Sequence, residues 1–261
     1  MFQDPYCQSS GTPPLLQGHC GGLWCMLIRR FHGRGWPYSV LQCKSMTGKD
    51  MHFEVHGGRK LKGAVSIGTS KNGTVALLCA ALLNRAPTTL RHVPQIEEVN
   101  RLLEVLESIG VEYVWEGHSL TLIPPEAYDL SKLNVGSAMK TRSSIMFIGP
   151  LLHHLDSFSL PHAGGCKLGS RTVRPHFYAL EKLGVKITTR NTTWRIDRGP
   201  LLPAEIVMYE SSDTATENAL MAAALVPGKT TIKYASANYQ VQELCFFLEQ
   251  CGLKIDGMAR R

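Results

Sequence analysis

Three short stretches, Leu106-Glu107-Ser108-Ile109-Gly110-Val111, Leu180-Glu181-Lys182-Leu183-Gly184-Val185 and Leu248-Glu249-Gln250-Cys251-Gly252-Leu253, decide the fold. Each reads as the last turn of an amphipathic helix, halted by glycine and followed by a strand. A helix C-terminus commonly needs a left-handed residue, which glycine adopts without penalty. Three matches in register make an internal repeat. Upstream of each lies a second, more apolar helix, expected over residues 74–83, 143–152 and 217–226. A short alternating strand follows each, at 88–92, 157–161 and 230–235. The unit therefore reads strand, apolar helix, strand, amphipathic helix, then one or two strands. A helix apolar on all faces is buried, so the expectation is an α/β fold with helices at the centre and sheets outside.

The chain has 261 residues, 44% of them hydrophobic and 19% charged, which suits a folded domain with a sizeable core. Its formal net charge of +7 is compatible with nucleic acid, a membrane surface or a small anionic ligand. No apolar run approaches the roughly 20 residues that a spanning helix needs. The run at 21–28 is short and its arginines, Arg29 and Arg30, follow it, which is the wrong order for a signal peptide. Eight cysteines occur without a CxxC pair, a pattern that fits a reducing cytoplasm better than a disulfide scaffold. Cys79, Cys245 and Cys251 stand in apolar helical runs and read as small buried hydrophobes. Residues 1–50 hold half of the cysteines and no clear period. They read as an atypical extension, disordered or upstream of a true start at Met46 or Met51. The folded domain is expected over 51–256, with repeats at about 58–125, 126–197 and 203–256.

Polar and cationic residues gather where the apolar helices begin: Ser70-Lys71-Asn72-Gly73, Lys140-Thr141-Arg142-Ser143-Ser144, and Thr214-Ala215-Thr216-Glu217-Asn218. Lysine or arginine in a first helical turn opposes the dipole at a cost of roughly 0.3–1 kcal/mol. Lys71 and Arg142, at equivalent repeat positions, make sense if an anion offsets that cost. The loop Ala163-Gly164-Gly165-Cys166-Lys167-Leu168-Gly169-Ser170-Arg171 allows close backbone approach to a ligand. Lys167 and Arg171 would favour a Cys166 thiolate, and Arg171 can clamp a phosphate or carboxylate through two hydrogen bonds.

With these four motifs in this order, the stretch from about Phe53 to Asp256 resembles the bacterial UDP-N-acetylglucosamine enolpyruvyl transferases. The resemblance implies an inside-out α/β barrel of three repeats. It implies transfer of enolpyruvyl from phosphoenolpyruvate to the 3'-hydroxyl of UDP-N-acetylglucosamine, with phosphate released and no cofactor, in the first committed step of peptidoglycan synthesis. Lys71 and Arg171 would bind phosphoenolpyruvate, and Asn72 would contact the sugar. Cys166 would be the general acid, the cysteine that fosfomycin alkylates in the family. Arg142 would contact the UDP-sugar, with Arg171, Thr172, Val173, Arg174 and Pro175, and with Glu210, Ser211, Ser212, Asp213 and Thr214.

The sequence departs from the family at three places. Thr172 and Arg174 stand where proline and aspartate are usual, and Ser212-Asp213-Thr214 replaces the common Ser-Val-Gly. No stretch matches the family's second domain, so the chain by itself is expected to turn over slowly or not at all. Two other readings remain beside this one. They are a non-catalytic UDP-sugar-binding module and an RNA-end-processing protein of related fold, although aromatic and basic residues are not interleaved as a nucleic-acid surface would have them. Metal binding by His153, His154, His162 and His176 is set aside in favour of surface histidines, since neighbours on a helix point apart.

Overall fold

The computed structural model describes Gly58, Lys60, residues 62–162, Gly164 and residues 172–257. The expectation for residues 1–50 and the positions of Cys166 and Arg171 lie outside the described residues. The chain divides into two units, Met1–Val65 and Ser66–Arg261. In the first, the described residues form no regular element. Every helix and strand among the described residues belongs to the second.

The repeat is present and the sheets carry its signature. In the first repeat α1 (Lys71–Ala80) leads to β1 (Thr88–Leu90), then α2 (Glu97–Ser108), β2 (Glu112–Glu116) and β3 (Ser119–Ile123). The strands form an antiparallel sheet in the order β1-β3-β2, with Thr88 opposite Leu122 and Val114 opposite Thr121. The second repeat gives α3 (Val135–Lys140), a 3-10 turn over Arg142–Phe147, α4 (Ile148–Leu151), β4 (Ser157–Pro161), α5 (Arg174–Lys182), β5 (Val185–Thr189) and β6 (Thr193–Arg198). Its sheet has the same order, β4-β6-β5. The third repeat has β7 (Glu205–Val207), α6 (Asp213–Ala223), β8 (Thr231–Lys233) and α7 (Tyr239–Gln250). Here β7 and β8 pair in parallel, which the α6 crossover permits. A strand opening the repeat occurs, among the described residues, only in the third, and no strand follows α7 there.

All three helix-ending glycines are left-handed, with φ of 105° at Gly110 and 98° at both Gly184 and Gly252. The amides of Val111 and Leu253 then reach back to the carbonyls of Leu106 and Leu248, closing the helix ends as the sequence predicts. The apolar helices face one another: α6 packs on α4 and α1, and α1 also meets the 3-10 turn. Amphipathic α2, α5 and α7 pack beside them. Leu78, Leu102, Leu106, Phe147, Ile148 and Met146 are among the buried side chains at this centre.

Two of the apolar helices differ from the expectation in their starts. α1 begins at Lys71, capped by the Ser70 hydroxyl on the Gly73 amide (3.0 Å), and α6 begins at Asp213. The expected start at residue 217 therefore lies one turn late. The middle helix differs in kind. Its first six residues are 3-10 and its α-helical part lasts one turn. Asn218 of α6 stands at the junction of the two parts. Its Oδ1 accepts from the Gly149 amide (2.8 Å) and its Nδ2 donates to the Ile145 carbonyl (3.1 Å). Those two backbone groups are the pair that an α-helix would join directly, so the carboxamide stands in the helical ladder and splices it to α6. Gly149 is required at this crossing: a Cβ there would lie 2.6 Å from both the Asn218 carbonyl oxygen and its Oδ1.

Cys79 and Cys245 are buried as expected, but Cys251 is exposed because the helix has ended there. No helix among the described residues is long and apolar enough to cross a membrane.

Candidate active site

Six helix or turn starts converge on one end of the fold, and side-chain bonds tie them together. α1 and α7 are joined by Asn72 Nδ2 donating to Gln240 Oε1 (3.3 Å). α6 and α7 are joined by Asp213, whose carboxylate accepts from the Ser236 hydroxyl and from Asn238 Nδ2 (3.1 Å). The 3-10 turn and α5 are joined by Arg142 Nη2 donating to the Thr172 carbonyl (2.9 Å). α5 and α6 are joined by His176 and Thr214 (3.3 Å). Helix starts present unpaired amides and a positive dipole end, so this face favours anions.

Lys71 lies at the α1 start with its side chain half-exposed, and its Nζ is 3.4 Å from Glu98 Oε2. Glu98 belongs to the first turn of α2 and also accepts from Thr141 and from Ser143 Oγ (2.7 Å). Burial alone would raise the Glu98 carboxyl. The two hydroxyls and the charge of Lys71 outweigh burial and hold it below its ordinary value. Thus the anion that offsets Lys71 within the chain is Glu98, and any incoming phosphate or carboxylate has to share or displace that pair. The sequence reading passed over Glu98, though an acidic pair opening an amphipathic helix was visible at Glu97-Glu98.

At the α5 start, Thr172 Oγ1 accepts from the Arg174 amide (3.1 Å) and Val173 precedes the helix, with Pro175 in its first turn. Arg174 turns along its own helix to Glu181 (3.0 Å). At the α6 start, Glu210 and Ser211 are exposed, and the Glu210 carbonyl accepts from the Ser212 amide (2.8 Å). The Ser212 carbonyl in turn accepts from Thr216 Oγ1 (2.8 Å). The two charges that set this sequence apart, Arg174 and Asp213, therefore both have protein partners. Gly164, the described part of the cysteine loop, runs so close to α3 that a Cβ there would lie 1.8 Å from the Met139 carbonyl oxygen.

Of the four histidines expected at the surface, His176 is buried and His153, His154 and His162 are half-buried. His176 is 2% exposed, and burial, with the Arg142 charge second, pushes it down to about 3. His153 and His154 bond the carbonyls of Met221 (3.1 Å) and Leu82 (2.7 Å), and burial lowers both. A buried carboxyl, Glu217, lies in the second turn of α6, 1% exposed and with Oε1 unpartnered among the described residues. Burial and the neighbouring Asp213 and Glu243 push it up to about 8. A cavity of about 340 Å³ opens at the opposite end of the helices, among His153, Arg198, Leu225 and Pro227. Carbonyls point there, which suits anions poorly, so the convergent starts remain the candidate site.

Among curated proteins, the chain is 36% identical over 209 residues to a UDP-N-acetylglucosamine 1-carboxyvinyltransferase of Treponema denticola, covering 80% of this chain and 49% of the relative. It is 35% identical over 210 residues to the protein of the same description from Bradyrhizobium diazoefficiens, covering 80% and 48%. The chain thus spans about half the length of the curated relatives it matches. Among solved structures, the enolpyruvyl transferase NikO from Streptomyces tendae superposes with a TM-score of 0.66 at 22% identity, over 77% of this chain and 48% of that one. An EPSP synthase from Acinetobacter baumannii gives 0.53 at 16%, over 71% and 44%. These two likenesses show the fold, which agrees with the central helices and repeated sheets. The family model of EPSP synthase (3-phosphoshikimate 1-carboxyvinyltransferase) matches residues 55–261, and the chain belongs to that family.

Proposed function

We propose that this chain supplies one half of an enzyme that transfers enolpyruvyl from phosphoenolpyruvate to the 3'-hydroxyl of UDP-N-acetylglucosamine. The observation that carries the reading is the convergence of helix starts on one face with Lys71 and Arg142 among them. The curated relatives of that description support the choice of substrates. In this reading the hydroxyl oxygen adds to C2 of phosphoenolpyruvate while a proton reaches the methylene carbon. Phosphate then leaves, and a proton is lost from the new methyl group to restore the double bond. Protonating that carbon creates oxocarbenium character, so an acid must stand beside it, and Cys166 is assigned that role. Lys71 and Arg171 hold the phosphate and carboxylate as fixed cations. Asn72 contacts the sugar. Arg142 and the starts of α5 and α6, from Thr172 to Pro175 and from Glu210 to Thr214, take the UDP-sugar. No cofactor is required, and the reaction belongs to the cytoplasm.

Internal pairing of Arg174 with Glu181, and of Asp213 with Ser236 and Asn238, supports a nucleotide side that is not dominated by either new charge. The test is phosphate release from phosphoenolpyruvate by the 261-residue chain, with and without UDP-N-acetylglucosamine. Release is expected to be slow, to depend on the UDP-sugar, and to rise when the remaining half of a relative is supplied in trans. Release that ignores the UDP-sugar would overturn the assigned acceptor.

A further inference from the structure

We infer that Thr214 meets the sugar nucleotide as a hydrogen-bond donor, its hydroxyl proton set free for the ligand by a buried chain of bonds through Asn218 and His176. This rests on the reading that the ligand is UDP-N-acetylglucosamine.

The chain of bonds can be followed from the backbone outward. The Gly149 amide can only donate and the Ile145 carbonyl can only accept, so Asn218 must place Oδ1 on the first (2.8 Å) and Nδ2 on the second (3.1 Å). The amide cannot be flipped without opposing two like groups. The second hydrogen on Nδ2 then points to His176 Nδ1, 3.2 Å away, which must accept and therefore carries no proton. His176 is buried at 2% exposure and is neutral across the working range of pH. A neutral imidazole with a bare Nδ1 carries its proton on Nε2. That N–H donates to Thr214 Oγ1 at 3.3 Å. One lone pair of the hydroxyl is thus occupied, while its own proton has no acceptor among the described residues. With the other tautomer the hydroxyl proton would be spent on the histidine and only a lone pair would remain for a ligand.

Thr214 is half-buried in the first turn of α6, on the face where the helix starts converge. A donor there fits an acceptor oxygen of the kind a diphosphate offers. The device is specific to this sequence pattern: it needs a hydroxyl at 214, an amide at 218 and an imidazole at 176 together. His176 and Asn218 act as positioning residues, since neither needs to touch the ligand.

The experiment titrates UDP-N-acetylglucosamine and, separately, phosphoenolpyruvate into the 261-residue chain and its Thr214→Val and Thr214→Ser variants. Imidazole nitrogen spectra of His176 are recorded alongside. Thr214→Val is expected to bind the UDP-sugar about tenfold more weakly. Thr214→Ser should bind within about twofold of the original, and phosphoenolpyruvate affinity should stay unchanged in both, which a general loosening of the site would not allow. The His176 spectra should show a bare Nδ1 and a protonated Nε2 from about pH 5 to 9. A protonated Nδ1, or equal UDP-sugar binding by the original chain and Thr214→Val, overturns this inference alone. An original chain that binds no UDP-sugar overturns the ligand reading and this inference with it.

Discussion

The first and second apolar helices occupy equivalent places in the repeat yet are built differently. α1 runs unbroken from a serine cap and keeps its backbone bonds to itself. Its counterpart gives up one helical bond to the carboxamide of Asn218 and takes two bonds from another repeat in return. Apolar patterning therefore settles that a helix is buried, but not whether its backbone is self-sufficient. In a dry interior, a side-chain amide can replace a backbone pair without leaving either group unpaired.

Glycine substitutions break this comparison most sharply. Gly149→Ala forces a Cβ to within 2.6 Å of the Asn218 carbonyl oxygen and Oδ1, at a packed crossing with little room to relax. It is expected to cost about 3 kcal/mol or more in chemical denaturation. Gly73→Ala, in the first turn of α1, meets the end of the exposed Glu243 side chain, which can swing away, and comes into ordinary contact with Ser70 Oγ at 3.4 Å. Its cost should stay under about 1 kcal/mol. Equal losses at the two positions would remove the distinction between a spliced helix and a free one.

Glu217 sharpens the comparison next, because it lies one residue from Asn218 and answers to pH. Its carboxyl rises from 4.5 unfolded to about 8 folded, so the folded chain holds a proton that the unfolded chain has released. Stability from this group is complete below about pH 4.5, falls as pH rises to about 8, and is level beyond. Glu217→Gln should remove that slope and stabilise the chain by on the order of 1–3 kcal/mol at pH 8, with little gain at pH 5, as thermal melts at the two pH values would show. The smallest effect belongs to Glu98→Gln. The Lys71 pair is partly open to water, so the loss should lie within about 1 kcal/mol.

Most of the repeat was legible in the sequence because its marks are local. A glycine must be left-handed where a helix closes, and Gly110, Gly184 and Gly252 are. Alternation over a few residues gave the strands, and matching order in two sheets followed from the repeated unit. Long-range substitution was not legible. Asn218 acts on residues 69 and 73 positions upstream, and nothing in the period of either segment announces it. The same holds for His176, which reads as a polar residue after proline but is buried against Asn218. Within the site, Lys71, Asn72, Arg142, Thr172 and Thr214 do gather at one end, as their places at helix starts imply. Glu98 is legible as a first-turn acid of α2, but its pairing with Lys71, Thr141 and Ser143 is long-range and leaves no local mark.

The Asn218 splice also bears on the order in which the chain can assemble. Each of the first two sheets is closed by strands from its own repeat, so those units can form as synthesis proceeds. While residue 218 is still unmade, the Ile145 carbonyl and the Gly149 amide can satisfy each other as an ordinary helical turn. Docking of the third repeat would then exchange partners, since Asn218 meets both groups. The nascent helix would thus have a complete interim state, and the last repeat would arrive without polar backbone having waited bare in the core.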